Sequence, residues 1–186
     1  MTNTKGYLNV IEKLEIFKEI SLYFKGEFSI SHNSGNELNT LRISIPYKKW
    51  KIVITESDTK PLKFHLEFES LTDFELIIGI EDFFDKILKK IGSKEVEIGQ
   101  EIFDKQYLIH TNNLLIAKEF LDSNIRKKIL ENKIYSISYI SKSKDKKSEL
   151  LTVVSRTLEK KEIYIDLVFL HQLLIDRLTD LKIINK

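Results

Sequence analysis

Cysteine is absent from the 186-residue chain, which removes disulfide frameworks and thiolate chemistry at once. Proline occurs twice and glycine six times. Little of the chain therefore reads as linker or low-complexity coil, and disorder is expected only in the first few residues and one polar loop. Arginine is confined to Arg42, Arg126, Arg156 and Arg177. The guanidinium group is the usual bidentate reader of phosphate and guanine, so nucleic acid ranks last among the expected partners. No apolar run approaches the ~20 residues of a membrane-spanning helix. Leu76-Ile77-Ile78-Gly79-Ile80 is among the longest, and MTNTKGYLNV lacks the apolar core of a signal peptide. A charge excess is missing too: 30 basic against 28 acidic side chains leave a net charge of +2, which names no partner. A soluble cytoplasmic protein without a membrane span is the expectation.

Motifs of familiar chemistry are also missing. There is no phosphate-cradling glycine loop, no G-x-S-x-G elbow, no H-E-x-x-H and no Cys-His metal set. No cofactor is expected.

What the chain does have is a sequence of clear periodicities. Leu8 to Phe24 predicts a helix, with Val10, Leu14, Phe17 and Phe24 on one face and Gly26 ending it. From Glu27 the period falls to two. Phe28 and Ile30, then Leu41, Ile43 and Ile45 up to Pro46, mark two strands. Trp50, Ile52 and Ile54, then Leu62, Phe64, Leu66 and Phe68, mark two more. Short polar turns join them, which predicts an antiparallel meander with one wet face. Phe74 to Ile78 suits a fifth strand or the start of a helix. Ile80, Phe83, Phe84, Ile87, Leu88 and Ile91 recur at helical spacing up to Gly92.

The second part opens with Val96 and Ile98 as a short strand, a turn over Gln100 to Lys105, and a strand at Tyr107 and Ile109. Thr111-Asn112-Asn113 and Asp122-Ser123-Asn124 supply capping chemistry for two short helices. Tyr135, Ile137 and Tyr139, then Leu151 and Val153 opposite Leu150, Thr152 and Val154, mark two strands around a solvated loop SKSKDKKS (141–148). Ile163 to Leu167 reads as a last strand before a helix with Leu170, Leu173, Leu174, Leu178 and Leu181 along one stripe. The fold class is thus α+β, antiparallel β meanders packed with amphipathic helices, in the order α-β4/5-α-β-αα-β3-α. One compact domain spanning 1–186 is expected, with two halves of similar plan at about 1–92 and 93–186.

Five residues stand out as candidates for chemistry. His65, Glu67 and Glu69 share a strand face at spacings of two, which suits metal ligands. The plainer reading is the wet face of an amphipathic strand. Asp104 and His110 are the candidate catalytic pair, provided the fold brings them together. The plainer reading of Asp104 is a turn carboxylate that accepts backbone N–H groups, with Phe103 anchoring the turn in the core. Elsewhere, Glu81, Asp82 and Asp85 read as the acidic first turn of a helix. His171 reads as a surface or half-buried residue, and Lys142, Lys144, Lys146 and Lys147 as a solvated hairpin tip.

One stretch also carries a family resemblance. Glu101-Ile102-Phe103-Asp104-Lys105, then Tyr107-Leu108-Ile109, then Ala117 and Leu121, resembles a segment of uncharacterised bacterial proteins. There an acidic-x-Phe-acidic-basic turn leads into an apolar strand, a polar link and a helix with an inward Ala. This chain departs from the pattern at Gly99-Gln100, where others place an acidic residue, and at Lys118-Glu119, where Arg and Tyr are frequent. The resemblance covers about residues 95–131 and implies a fold element, without an activity.

Two functions compete. A non-catalytic binding or assembly module for a protein or apolar ligand is expected from the aromatic-rich strands and the missing catalytic motifs. The alternative is a hydrolytic enzyme using carboxylate and histidine chemistry around Asp104, His110 or Glu67 and Glu69.

Overall fold

The computed structural model describes residues 5–33, 38–57, 60–81, 83, 94–142, 146–154 and 160–185. The first helix, α1 (Lys5–Tyr23), is followed by β1 (Glu27–Asn33), β2 (Leu38–Tyr47), β3 (Trp50–Ser57), β4 (Lys63–Glu69) and β5 (Glu75–Gly79). Then come β6 (Lys94–Glu95), α2 (Glu101–Gln106), β7 (Leu108–Thr111), α3 (Leu114–Phe120) and α4 (Ser123–Glu131). A hairpin of β8 (Ser136–Lys142) and β9 (Lys147–Val153) leads to the long closing helix α5 (Lys161–Asp180). The architecture is α+β, as the periodicities predict. Of the helix expected over 80–91, only Ile80, Glu81 and Phe83 are among the described residues, and Glu81 and Phe83 are helical. The tip of the lysine-rich loop, including Lys144, also lies outside them.

Among the described residues, nine strands form one sheet in the order β1-β2-β3-β4-β9-β8-β5-β7-β6, and every neighbouring pair is antiparallel. The first four strands are the predicted meander. Long crossings then insert β5 between β8 and β7, while β4 pairs with β9.

The register aligns one side chain per strand into a row across the sheet. Phe28 pairs with Ile43, Ile43 with Ile54, Ile54 with Phe64, and Phe64 with Thr152. Thr152 then pairs with Ile137, Ile137 with Ile78, and Ile78 with Ile109. A period of two requires the whole row to face one side. That side is the core: Ile43, Ile54, Phe64 and Ile109 are completely buried, together with Ile45 and Ile52.

Helices cover this face. Phe17 and Ile20 of α1 are buried in it, and α5 touches α1, α3 and α4. Along α5 the buried residues Tyr164, Leu167, Val168, His171, Leu174, Ile175 and Leu178 follow helical spacing. This corrects the strand expected at Ile163 to Leu167. The alternation of Ile163, Ile165 and Leu167 is real, but burial of Tyr164, Leu167 and Val168 at i, i+3 and i+4 wins. The helix therefore begins at Lys161.

His171 is also corrected: it is completely buried, neither at the surface nor half-buried. Its ring stacks on Phe64 at 4.2 Å between centroids. Nδ1 lies 2.6 Å from the Leu167 carbonyl, which can only accept, so Nδ1 carries the proton. Nε2 is then the acceptor for the Thr152 hydroxyl at 2.8 Å. Burial is the main cause that drives the imidazole pKa down to about 4, partly opposed by the Leu167 bond.

Smaller corrections have local causes. The left-handed residue after α1 is Lys25 (φ 52), not Gly26. Gly26 is required for space, since a Cβ there would stand 2.8 Å from the Ser44 carbonyl oxygen. Its N–H closes the helix on the Ser21 carbonyl at 2.7 Å. Pro46 does not stop β2, which runs on to Tyr47 with Pro46 opposite Lys51.

Two outcomes follow from this packing. Phe64→Ala should cost ~3–5 kcal/mol in chemical denaturation, because it deletes a completely buried ring and the surface His171 stacks on. A change below about 1 kcal/mol would contradict the inward face.

The second concerns pH. The native state keeps His171 neutral down to about pH 4, whereas the unfolded chain takes up a proton near 6.5. Protons thus favour the unfolded chain. Stability from this group is complete above pH 6.5 and should fall as pH drops, by up to ~1.4 kcal/mol per unit. Urea midpoints measured from pH 7.5 to 5 should show this slope in the wild type and lose it in His171→Asn.

Candidate functional site

The inward alternation of β3 does not stop at Ile54. Ile52, Ile54 and Glu56 point the same way, so a carboxylate follows two isoleucines into the core. Glu56 is only 3% exposed. Such a group is costly unless paired and hydrogen-bonded, and here both oxygens are engaged. Lys13 of α1 donates to Oε1 as an ion pair. The Tyr164 hydroxyl of α5 donates to Oε2 at 3.0 Å. Burial, and then the adjacent carboxylate, push the Tyr164 phenol far above its ordinary pKa of 10, so it stays a donor.

Beside this cluster lies a recess of about 110 Å³ between α1 and the first three strands. Leu14, Ile30 and Leu41 give it apolar walls, and Lys13, Asn39, Glu56 and Ser57 complete the lining. Ile30, Leu41 and Glu56 are cross-strand neighbours in one row, so the register itself builds one wall. The recess is smaller than the ~150 Å³ apolar cavity that accommodates benzene. Its volume suits one apolar group. Its carboxylate is held by an ammonium and a phenol and so serves as a fixed support.

This site was legible in part. A charged residue continuing an inward apolar alternation is a signal in the sequence, and extending the β3 pattern by two residues finds Glu56. Lys13 and Tyr164, 43 and 108 residues away from Glu56, carry no such mark.

The residues singled out from sequence lie elsewhere. His65 and Glu67 stand on the outer face of β4, where His65 Nε2 is 3.2 Å from Glu149 of β9 and 4.0 Å from Glu67. Glu69 ends the same strand and accepts from Asn185 at 3.4 Å. Among the described residues no cluster of three or more His, Cys, Asp or Glu is placed to hold a metal ion. His110 is buried on β7, opposite Ile77 of β5 and Glu95 of β6. It shares an outer-face row with His65 through Leu151, Ser138 and Ile77. Three strands intervene, however, and four strand spacings put these two histidines roughly 19 Å apart.

Asp104 has a definite task. Oδ1 accepts the N–H of Ile98 at 3.1 Å, and Oδ2 accepts those of Gly99 and Gln100 at 2.9 and 2.8 Å. Phe103 beside it is completely buried. The expected turn over 100–105 is in fact the short helix α2, and Asp104 ties down the chain that enters it. Gly99 takes the left-handed conformation (φ 86) that this entry needs. The expected strand at Val96 and Ile98 is displaced to Lys94–Glu95, because the N–H of Ile98 turns to Asp104 instead of the sheet. Asn113 and Asp122 cap α3 and α4 as expected, accepting from Ile116 and from Asn124 and Ile125.

Fold and site together define an α+β protein in which, among the described residues, a single antiparallel sheet carries helices on its core face and an apolar recess beside a buried ion pair. Among solved structures this arrangement is similar to the crystal structure of the mycobacterial trehalose monomycolate transport factor A, TtfA. The TM-score is 0.58 at 12% identity, over 92% of this chain and 97% of that one. At that identity the likeness concerns the fold. No family model and no curated protein matches the sequence. Among the described residues, no helix is long and apolar enough to cross a membrane.

Substitution at Asp104 separates anchoring from chemistry. Asp104→Ala leaves three N–H groups without their acceptor and should cost ~1–3 kcal/mol. Asp104→Asn keeps one oxygen, enough for Gly99 and Gln100, and should fall between Ala and wild type. Unchanged or raised denaturation midpoints in both variants would instead mark strain held for catalysis.

Proposed function

We propose that this chain is a non-catalytic binding module that takes an apolar group, from a protein or a small ligand, into the recess between α1 and the β1–β3 sheet. The observation that carries the reading is the chemistry of the recess: Leu14, Ile30 and Leu41 form the walls, and both oxygens of its one carboxylate are already occupied. Concave sites with apolar walls and few polar groups are the usual form of ligand pockets. The alternative, hydrolysis, needs an acid or base with a free reacting atom. Asp104 is committed to three backbone donors, and His65 lies beside Glu149 and Glu67 on the outer face of the sheet. The similarity of the fold to a protein named as a transport factor supports a carrying or assembly role over turnover.

The test is titration of the wild type with decanoate, whose chain-end methyl and nearest methylenes are of the size the recess takes, read by the methyl NMR signals of Leu14, Ile30 and Leu41. Saturable shifts at these methyls are expected. Leu14→Phe, which fills the recess from a half-buried position, should weaken decanoate binding by about tenfold while leaving the thermal midpoint within a few degrees. Absence of saturable binding in the wild type, or equal affinity in the variant, would overturn the assignment.

A further inference from the structure

The two ends of the sheet differ. At one end β6 is only two residues long, and a short edge strand offers little to pair with. At the other end is β1, Glu27–Asn33, seven residues of sequence EFSISHN. Among the described residues its outer side pairs with no strand. It contains no proline, lysine or arginine, the residues that commonly keep an edge from pairing. Ser29, Ile30, Ser31 and His32 are all exposed, Ile30 at 47%.

We infer that β1 is a dimerisation edge, pairing antiparallel with β1 of a second copy of this chain to continue the sheet through a two-fold axis beside Ile30. The argument is one of self-complementarity. An isologous antiparallel pairing centred on Ile30 sets Ile30 against itself, Ser29 against Ser31, Phe28 against His32 and Glu27 against Asn33. Glu27 is the one formally charged residue of the strand, and this register places it opposite an asparagine, never opposite its own copy. Like charges directly opposite are what destabilise such a pair, and here there are none. The central isoleucine, left half-exposed by the edge, gains an apolar neighbour on the face where the row continues into Leu41. The test positions Ser29 and Ser31 lie on the face opposite Ile30, the axis residue that also walls the recess.

The test uses those two serines. Light scattering on the wild type at about 50 μM should give twice the 21.9 kDa chain mass. Ser29→Glu with Ser31→Glu sets like charges opposite each other twice across the axis, and should raise the dimer dissociation constant about tenfold or more with an unchanged circular dichroism spectrum. Ser29→Glu with Ser31→Lys sets opposite charges across the same two positions and should restore the dimer. A monomeric wild type, or two double variants that dissociate equally, would overturn the pairing.

Discussion

The hydroxyl of Thr152 sits in a row that is otherwise apolar from Phe28 to Ile109, and it must be bonded where it is. His171 meets that demand, and doing so sets the position of α5 over the middle of the sheet. The imidazole is itself fixed by the Leu167 carbonyl and by stacking on Phe64, so the contact defines rotation as well as distance. Two further polar contacts on the same helix depend on that placement. Two turns earlier, Tyr164 reaches Glu56 of β3; further on, Asp176 accepts from Tyr47 at 2.9 and 3.0 Å and pairs with Lys48 at 2.6 Å, holding the β2–β3 hairpin. One helix is thereby latched to the sheet at both ends and at its centre.

That arrangement explains why a carboxylate can be tolerated beside an apolar recess. Removing Glu56 from water is costly, and only a complete set of partners offsets the cost. Tyr164 arrives from α5 and Lys13 from α1, so the cluster forms only when both helices are seated. A buried ion pair contributes little net stability, but it penalises alternatives in which one partner is misplaced. The recess is thus walled by the residues that would report an incorrect packing of α1. The fold it shares with the mycobacterial transport factor at 12% identity shows that such a sheet-and-helix layer accepts very different side chains. Patterning and volume matter more than identity in a core of this kind.

Much of this molecule was legible locally. The helix Lys5–Tyr23 and the four strands of the meander follow from short-range periodicity, because each buries one face and the face repeats at 3.6 or 2. The caps at Asn113 and Asp122 and the anchoring role of Asp104 were equally readable, since such carboxyl and amide groups bond backbone within a few residues. The site was less legible. Glu56 was signalled by the alternation it continues, but the candidates singled out for chemistry, His65, Glu67, Glu69, Asp104 and His110, were chosen by residue type, and residue type says nothing of distance.

The sequence by itself determined the α+β class and the inward faces of the four meander strands, since these depend on neighbours within one element. Tertiary structure alone decided the strand order that inserts β5 between β8 and β7, and it converted Ile163–Leu167 from apparent strand to helix. It also buried His171 and brought Lys13, Glu56 and Tyr164 together. Each of these rests on contacts between residues far apart in the chain, whose energies appear only when the whole sheet is assembled; local propensity, worth tenths of a kilocalorie per residue, gives way to them.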